Sequence, residues 1–389
     1  MERDINVELN KFEIIPNSLR IFDDMNVFNK ITKVNLARLY HHYYLDTYGK
    51  VPPNPDPSQF EYLQFLTNTS DFRFLGDGLG SSTSARRNRS SELGQAFCRW
   101  FLYEHLNITY FAHMEHVLDK NMHPSFRSFN ISRVKSGDTP DYFCAEGVNK
   151  VFLAEAKGRY SSISFKNKEF EKWREQFKTI NIKDNAGNIK SIKGYIVGTR
   201  FVTEEDKDSI NTTVYAEDPR TEGELEFGEN FEQELRSLII SLHYANIAEK
   251  LNQPILASAL RQGFSIPEQI NFPGIVWEIQ FGPFAGRRFV GGYYSKEPVQ
   301  IYKYNNGKSI GFNSNNPFDL NSPGVTFFGL EEKIFKYLTE NVRQRFRLFL
   351  DIPEFTYEGP EYFYSGISVL RDGSILSPIE FLKPVDEVY

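Results

Sequence analysis

The sequence predicts an α/β protein with a helical N-terminal segment and an α+β C-terminal region, and three observations carry that expectation. Two short apolar segments, Thr139 to Ala145 and Val151 to Gly158, flank Glu146-Gly147-Val148-Asn149-Lys150, whose Gly and Asn suit a hairpin turn. Segments of helical composition stand on either side, Ser90 to Leu102 before the pair and Lys168 to Ile180 after it, and Gly194 to Val202 supplies a further strand. Of the 389 residues, 40% are hydrophobic and 15% aromatic, which suits large buried cores in two or three domains. The expected division is 1–84, 85–220 and 221–389.

Residues 1–84 read as helical with loops. From Val27 to Tyr48, Ile31, Val34, Leu36, Leu39 and Tyr43 or Tyr44 recur at near-helical spacing, until Val51-Pro52-Pro53-Asn54-Pro55-Asp56-Pro57 breaks the run. A second short helix is expected from Ser58 to Leu66. The loop Gly76-Asp77-Gly78-Leu79-Gly80 lacks the lysine of a P-loop and reads as a flexible connector. Arg86, Arg87 and Arg89 follow it, where they are candidates to hold a nucleic-acid phosphate.

The central segment carries the chemistry. Side chains alternate along a strand, so Glu155 and Lys157 project with Leu153 while Phe152, Ala154 and Ala156 point the other way. Pro140-Asp141 brings a second carboxylate on the neighbouring strand. Attack of water on a phosphodiester builds negative charge on oxygen, and hard divalent cations held by carboxylates stabilise it. Asp141 and Glu155 are the candidate ligands, for Mg²⁺ or Mn²⁺. Lys157 can reach the attacking water or the scissile phosphate, as a point charge or a proton acceptor.

On Pro140, Asp141, Glu155 and Lys157 the chain resembles the PD-(D/E)xK nuclease superfamily, over roughly residues 85 to 217. The resemblance implies an αβββαβ, restriction-endonuclease-like core and a metal-dependent hydrolase. It also implies a glutamate on the helix before the first core strand, for which Glu92 is the choice and Glu104 the fallback. In some branches a glutamine follows on the next helix, and Gln176 fits. The fusion of such a core to an unfamiliar C-terminal region looks like a bacterial restriction or antiviral-defence nuclease, an expectation from analogy alone.

Other features narrow the field. Cys98 and Cys144 both sit in apolar runs, so a disulfide framework is not expected and a reducing cytoplasm is. No apolar run approaches ~18 residues, so no membrane is expected as a partner. His113-Met114-Glu115-His116 has no third ligand in view and reads as ordinary structure, not a zinc site. Net charge is −6, yet Lys150 to Arg200 holds twelve Lys or Arg against five Asp or Glu, Lys172 among them, which suits a phosphate backbone. From Thr203 to Glu234 the balance reverses to two basic against twelve acidic residues. That acidic stretch is a candidate mask for the basic one.

Beyond it, Glu229 to Leu251 is the clearest helix, with Phe231, Leu235, Leu238, Leu242, Ala245, Ala248 and Leu251 on one stripe. Strands are expected around Gly291-Gly292-Tyr293-Tyr294 and Val299 to Tyr304, turning at Asn305-Asn306-Gly307. A helix is expected over Leu330 to Phe349, and a hairpin turning at Arg371-Asp372-Gly373. This region is expected to bind a partner protein, a second copy, an activator or, through Arg343, Arg345 and Arg347, nucleic acid. The sequence thus points to a Mg²⁺-dependent endonuclease acting on DNA. Two alternatives stay open: an inactive nuclease-fold binding protein and an RNA nuclease of a toxin-like system.

Overall fold

A computed structural model of the chain describes residues 2–21, 27–47, 61–118, 129–146, 150–219, 229–294, 300–303, 309–312, 326–344 and 349–388, apart from 350, 354 and 357–366. In chain order its first part runs β1 (Glu2–Asn10), β2 (Ile31–Asn35), α1 (Leu36–Thr47), α2 (Glu61–Gln64), β3 (Arg73–Phe74), α3 (Thr83–Leu106), β4 (Ile108–His113), α4 (Met114–Leu118), β5 (Phe129–Arg133), β6 (Tyr142–Glu146), β7 (Lys150–Arg159), α5 (Lys168–Phe177), β8 (Ile180–Asp184), β9 (Ile189–Lys190), β10 (Gly194–Arg200), β11 (Val202–Thr203) and β12 (Thr213–Glu217).

Seven strands form the central sheet, in the order β2-β1-β12-β10-β7-β6-β4. β4, β6 and β7 are antiparallel neighbours, whereas β10 runs parallel to β7. A parallel pair needs a crossover, and the segment containing α5 supplies it. The two faces of β7 meet different helices. On the Ala154, Ala156 and Gly158 face lies α3, and a Cβ added at Gly158 would stand 1.8 Å from the Ser90 carbonyl oxygen and 2.8 Å from Gly94 Cα. Only glycine allows that approach. On the Glu155, Lys157 and Arg159 face lies α5, where Arg159 pairs with Glu169 at 2.6 Å and stacks over Trp173.

Local chemistry explains the long helix. Ser82 Oγ accepts the Ala85 N–H at 3.2 Å at the start of α3, and Asn107, at φ 56°, closes it in the left-handed conformation.

The N-terminal segment departs from the helical expectation. Ile5 and Val7 are fully buried at alternating positions of β1, which joins the sheet edge-on to β12 and β2. Ile31 and Val34 belong to β2, and only from Leu36 does the run become helix. β-branched residues favour the pleated state here, and pairing with β1 decides it. Residues 58–60 of the second expected helix lie outside the described residues, and α2 covers Glu61–Gln64. The glycine loop is tethered at both ends: Gly76 N–H donates to Glu204 Oε2 at 2.7 Å, and Leu79 N–H to Tyr160 Oη at 3.0 Å.

The second part comprises α6 (Glu229–Lys250), α7 (Pro254–Gln262), β13 (Gly274–Ile279), β14 (Arg288–Tyr294), β15 (Gln300–Lys303), β16 (Ser309–Phe312), β17 (Thr326–Glu331), α8 (Glu332–Asn341), β18 (Ser368–Val369), β19 (Ser374–Pro378) and β20 (Leu382–Val388). Six of its strands form an antiparallel sheet, β18-β19-β17-β14-β13-β20, with α8 against β14 and β17. α6 lies on β4, β6 and β7, and one buried core runs from Ile5 through Phe101 and Leu235 to Val388. The core therefore crosses the expected 220/221 boundary. The expected hairpin at Arg371-Asp372-Gly373 is β18–β19. The expected helix over Leu330 to Phe349 is shorter, because Thr326–Glu331 pairs as a strand with β14 and β19. The turn Asn305-Asn306-Gly307, the hairpin turn at 147–149 and part of the acidic stretch, 220–228, lie outside the described residues, as do Arg345 and Arg347.

Candidate active site

Asp141 immediately precedes β6. Tyr142 pairs with Ala154, so one step further along the antiparallel register sets Asp141 opposite Glu155. The Lys157 ammonium stands 3.9 Å from Asp141 Oδ2 and ion-pairs with Glu155 Oε1. Asp141 Oδ2 also accepts the Ala156 N–H at 2.8 Å, which ties this carboxylate to β7 itself. All three side chains lie on the α5 side of the sheet. Glu155 is fully buried, while the side chains of Lys157 and Asp141 keep 30% and 23% of their surface open. The site thus sets a buried carboxylate beside two partly open side chains.

Electrostatics follow from that burial. The Glu155 carboxyl is pushed well above its ordinary range by burial first and by the Asp141 charge second. Asp141 is raised too, by burial, although Lys157 and the Ala156 N–H pull it back. Burial works against the Lys157 ammonium, but Glu155 and Asp141 together outweigh it and raise Lys157 above its ordinary value. Glu155 Oε1 meets the Lys157 ammonium, and Oε2 is buried without a hydrogen-bond partner. A buried carboxylate in that state is costly unless a cation meets it. Two hard oxygen donors side by side fit Mg²⁺ or Mn²⁺, which one or two carboxylates commonly hold alongside water and phosphate oxygens. Among the described residues no group of three or more His, Cys, Asp or Glu side chains is placed to hold a metal ion, so the fit is to a two-carboxylate site.

The other expected residues divide. Glu92 does not join the acidic pair: it sits on α3, across the opposite face of β7, and accepts the Tyr62 hydroxyl at 3.0 Å. Glu104, a little over three turns further along α3, pairs with Arg38 at 2.8 Å. Gln176 lies in the last turn of α5, whose end is tied to the segment before Asp141 through Thr179 Oγ1 donating to the Asp138 carbonyl at 3.4 Å. Its Oε1 is buried without a partner. Arg86, Arg87 and Arg89 fall in the first two turns of α3, not in a loop: Arg86 pairs with Asp77, Arg87 is exposed, and the Arg89 carbonyl accepts Tyr62 at 3.1 Å. Lys172 is exposed on α5.

Three of the twelve basic residues pair with the acidic stretch that follows. Arg174 reaches Glu217 at 2.7 Å, Lys193 reaches Asp218 at 3.0 Å and Arg200 reaches Asp206 at 2.8 Å. Arg343 donates to the Pro267 and Ile270 carbonyls at 3.1 Å each, which gives it a structural task.

Sequence reasoning missed a buried cluster on the opposite, α1 and α3, face of the sheet. Asp46 Oδ1 accepts Tyr142 Oη at 2.8 Å and Arg99 Nη1 at 3.1 Å, and lies 3.2 Å from His113 Nε2. Burial would raise the Asp46 carboxyl, but His113 and Arg99 hold it down at about 2. The only signal in the sequence was His113-Met114-Glu115-His116, read for a third metal ligand when the partner of His113 is a carboxylate from α1. Comparison of the chain with protein-family models, with curated proteins and with solved structures finds no match.

Proposed function

We propose that the chain is a divalent-cation-dependent endonuclease that hydrolyses phosphodiester bonds of DNA, with a restriction-endonuclease-like core in residues 85–220. The observation that carries this reading is the juxtaposition of buried Glu155 with Asp141 and Lys157 on one face of the sheet. The order α3, β4, β6, β7, α5, β10 supports it as well, since it follows the αβββαβ plan with α4–β5 and β8–β9 as insertions.

Mg²⁺ or Mn²⁺, when bound, supplies the positive charge that stabilises the reacting phosphate. Asp141 and Glu155 would hold it. Lys157, its proton kept on Nζ by the two carboxylates, acts as a fixed charge and donor to a phosphate oxygen in preference to taking a proton. The Ala156 N–H fixes Asp141, and the burial of Glu155 strengthens each of these interactions. Gln176, with its unpaired oxygen near the segment before Asp141, would orient substrate. Arg86, Arg87 and Arg89 lie near the start of α3, where the helix dipole disfavours cations, and a bound phosphate relieves that conflict. Lys172 would extend the contact along α5, and the region 221–389 would bind a partner protein or a second copy.

The test is to incubate the protein with supercoiled DNA, single-stranded DNA and RNA, each with and without Mg²⁺. Nicking or linearisation of the supercoiled DNA in Mg²⁺ alone is expected. No cleavage of any of the three in Mg²⁺ or Mn²⁺ contradicts the reading.

A further inference from the structure

We infer that the arch Lys135-Ser136-Gly137, which leads into the first carboxylate of the site, is a phosphate-binding loop that holds the nucleic-acid backbone beside Asp141 and Glu155. The inference rests on the nuclease reading and adds to it a named contact. Both feet of the arch stand on one residue. The Val134 N–H donates to the Thr179 carbonyl at 2.8 Å, and Thr179 Oγ1 donates to the Asp138 carbonyl at 3.4 Å. Thr179 follows the last turn of α5, so the arch is pinned where that helix ends. Gly137, at φ 135°, turns the backbone between the feet in a conformation that side chains disfavour.

Position sets the arch on the catalytic face. α5 covers the side of β7 that carries Glu155, Lys157 and Arg159, with Trp173 against Arg159. From the end of α5, Asp138, Thr139 and Pro140 carry the chain to Asp141. Those three steps span at most about 10 Å, or about three nucleotides at ~3.4 Å each. Charge reports the same proximity. Burial lowers Lys157, Glu155 and Asp141 more than restore it, and Asp138 adds to the rise. On the other side, the Glu175 carboxyl of α5 is held below its ordinary range by Lys178 and, through its charge, by Lys135.

The groups on the arch are unspent donors. Residues 133–138 are all exposed, and among the described residues Lys135, Ser136 and Gly137 enter no hydrogen bond or ion pair. Surface lysines elsewhere behave differently: Lys30 and Lys33 meet carboxylates of β1, and Lys336 meets Glu332. Glu175 is itself paired with Lys178 at 2.7 Å, which leaves the Lys135 ammonium open to another anion. An ammonium, a hydroxyl and consecutive backbone N–H groups are the donors that proteins set on phosphate oxygens. A strand bound at Asp141 and Glu155 meets them next.

A loop that only joined β5 to β6 would leave the response of binding to salt untouched, and that separates the two roles. Each neutralised phosphate steepens the fall of log K with log[salt] by about 0.9. The experiment measures binding of a fluorescein-labelled DNA duplex across a KCl series in Ca²⁺. Lys135→Gln is expected to bind roughly eightfold more weakly at about 0.1 M KCl, with a slope shallower by about one unit. Lys135→Arg is expected to keep the wild-type slope. Lys383→Gln, which removes an exposed lysine of β20, is expected to keep it too. An unchanged slope in Lys135→Gln, or an equal change in Lys383→Gln, with wild-type DNA binding intact, overturns this inference alone. Failure of the wild type to bind DNA at all overturns it together with the nuclease reading.

Discussion

Lys157 Nζ stands 3.9 Å from Asp141 Oδ2, so the ammonium on one strand is shared with the carboxylate at the head of the next. If that trio performs the hydrolysis, Asp141→Ala and Lys157→Ala each slow plasmid cleavage in Mg²⁺ by ~10²-fold or more, the usual loss when a charge-stabilising group is removed. Both variants are expected to keep the wild-type circular dichroism. Cutting at the wild-type rate by either one removes the assignment.

Glu155 makes stability depend on pH in a definite direction. Its folded carboxyl holds a proton well above the ordinary 4.5, so the stability it contributes is full below 4.5 and is lost as pH rises through the elevated value. Asp141 has the same sign. Without divalent cation, the melting temperature is expected to fall as pH rises above the ordinary carboxylate range. Glu155→Gln should flatten that fall and melt higher than wild type at neutral pH. Parallel profiles for the two proteins would count against a strained, buried carboxylate.

Asp46 has the opposite sign. Its folded value near 2 lies below the ordinary 3.8, so its stabilisation is present above 3.8 and disappears as pH drops through about 2. Asp46→Asn leaves the Arg99 guanidinium buried without its counter-charge. Urea unfolding at neutral pH is expected to show a loss of ~3–5 kcal/mol. A loss below ~1 kcal/mol would mean that the cluster relaxes without it.

The contact of α3 with β7 is made backbone to backbone. At Gly158 an added Cβ would overlap the Ser90 carbonyl, so Gly158→Ala must part helix from strand and is expected to cost ~1–3 kcal/mol or more. Gly292→Ala, where no atom lies within 4 Å of the added carbon, serves as the comparison and is expected to melt close to wild type. Equal melting temperatures for the two would contradict the close approach.

The pair β6–β7 and the return strand β10 were legible because alternation and a Gly-Asn turn are local signals, readable from Thr139 to Gly158 without knowledge of the rest. β1 carries the same kind of signal, Ile5, Val7 and Leu9 alternating with charged and polar residues, and the helical expectation for residues 1–84 passed over it; what no local window contains is its parallel partner β12. The same limit governed the site. Asp141, Glu155 and Lys157 share a face by strand geometry alone, whereas the separation of Glu92 from them depends on which face of β7 receives α3. The partnership of Asp46 with His113 joins residues 67 positions apart through a helix whose docking only the tertiary structure supplies.

The central claim is that Asp141 and Glu155 form one cation site, and titration calorimetry of the metal-free protein with Mn²⁺ tests it most directly. The account predicts a single site in the wild type, lost in both Asp141→Asn and Glu155→Gln, with an accompanying rise in wild-type melting temperature. Unchanged Mn²⁺ affinity in either variant would contradict it.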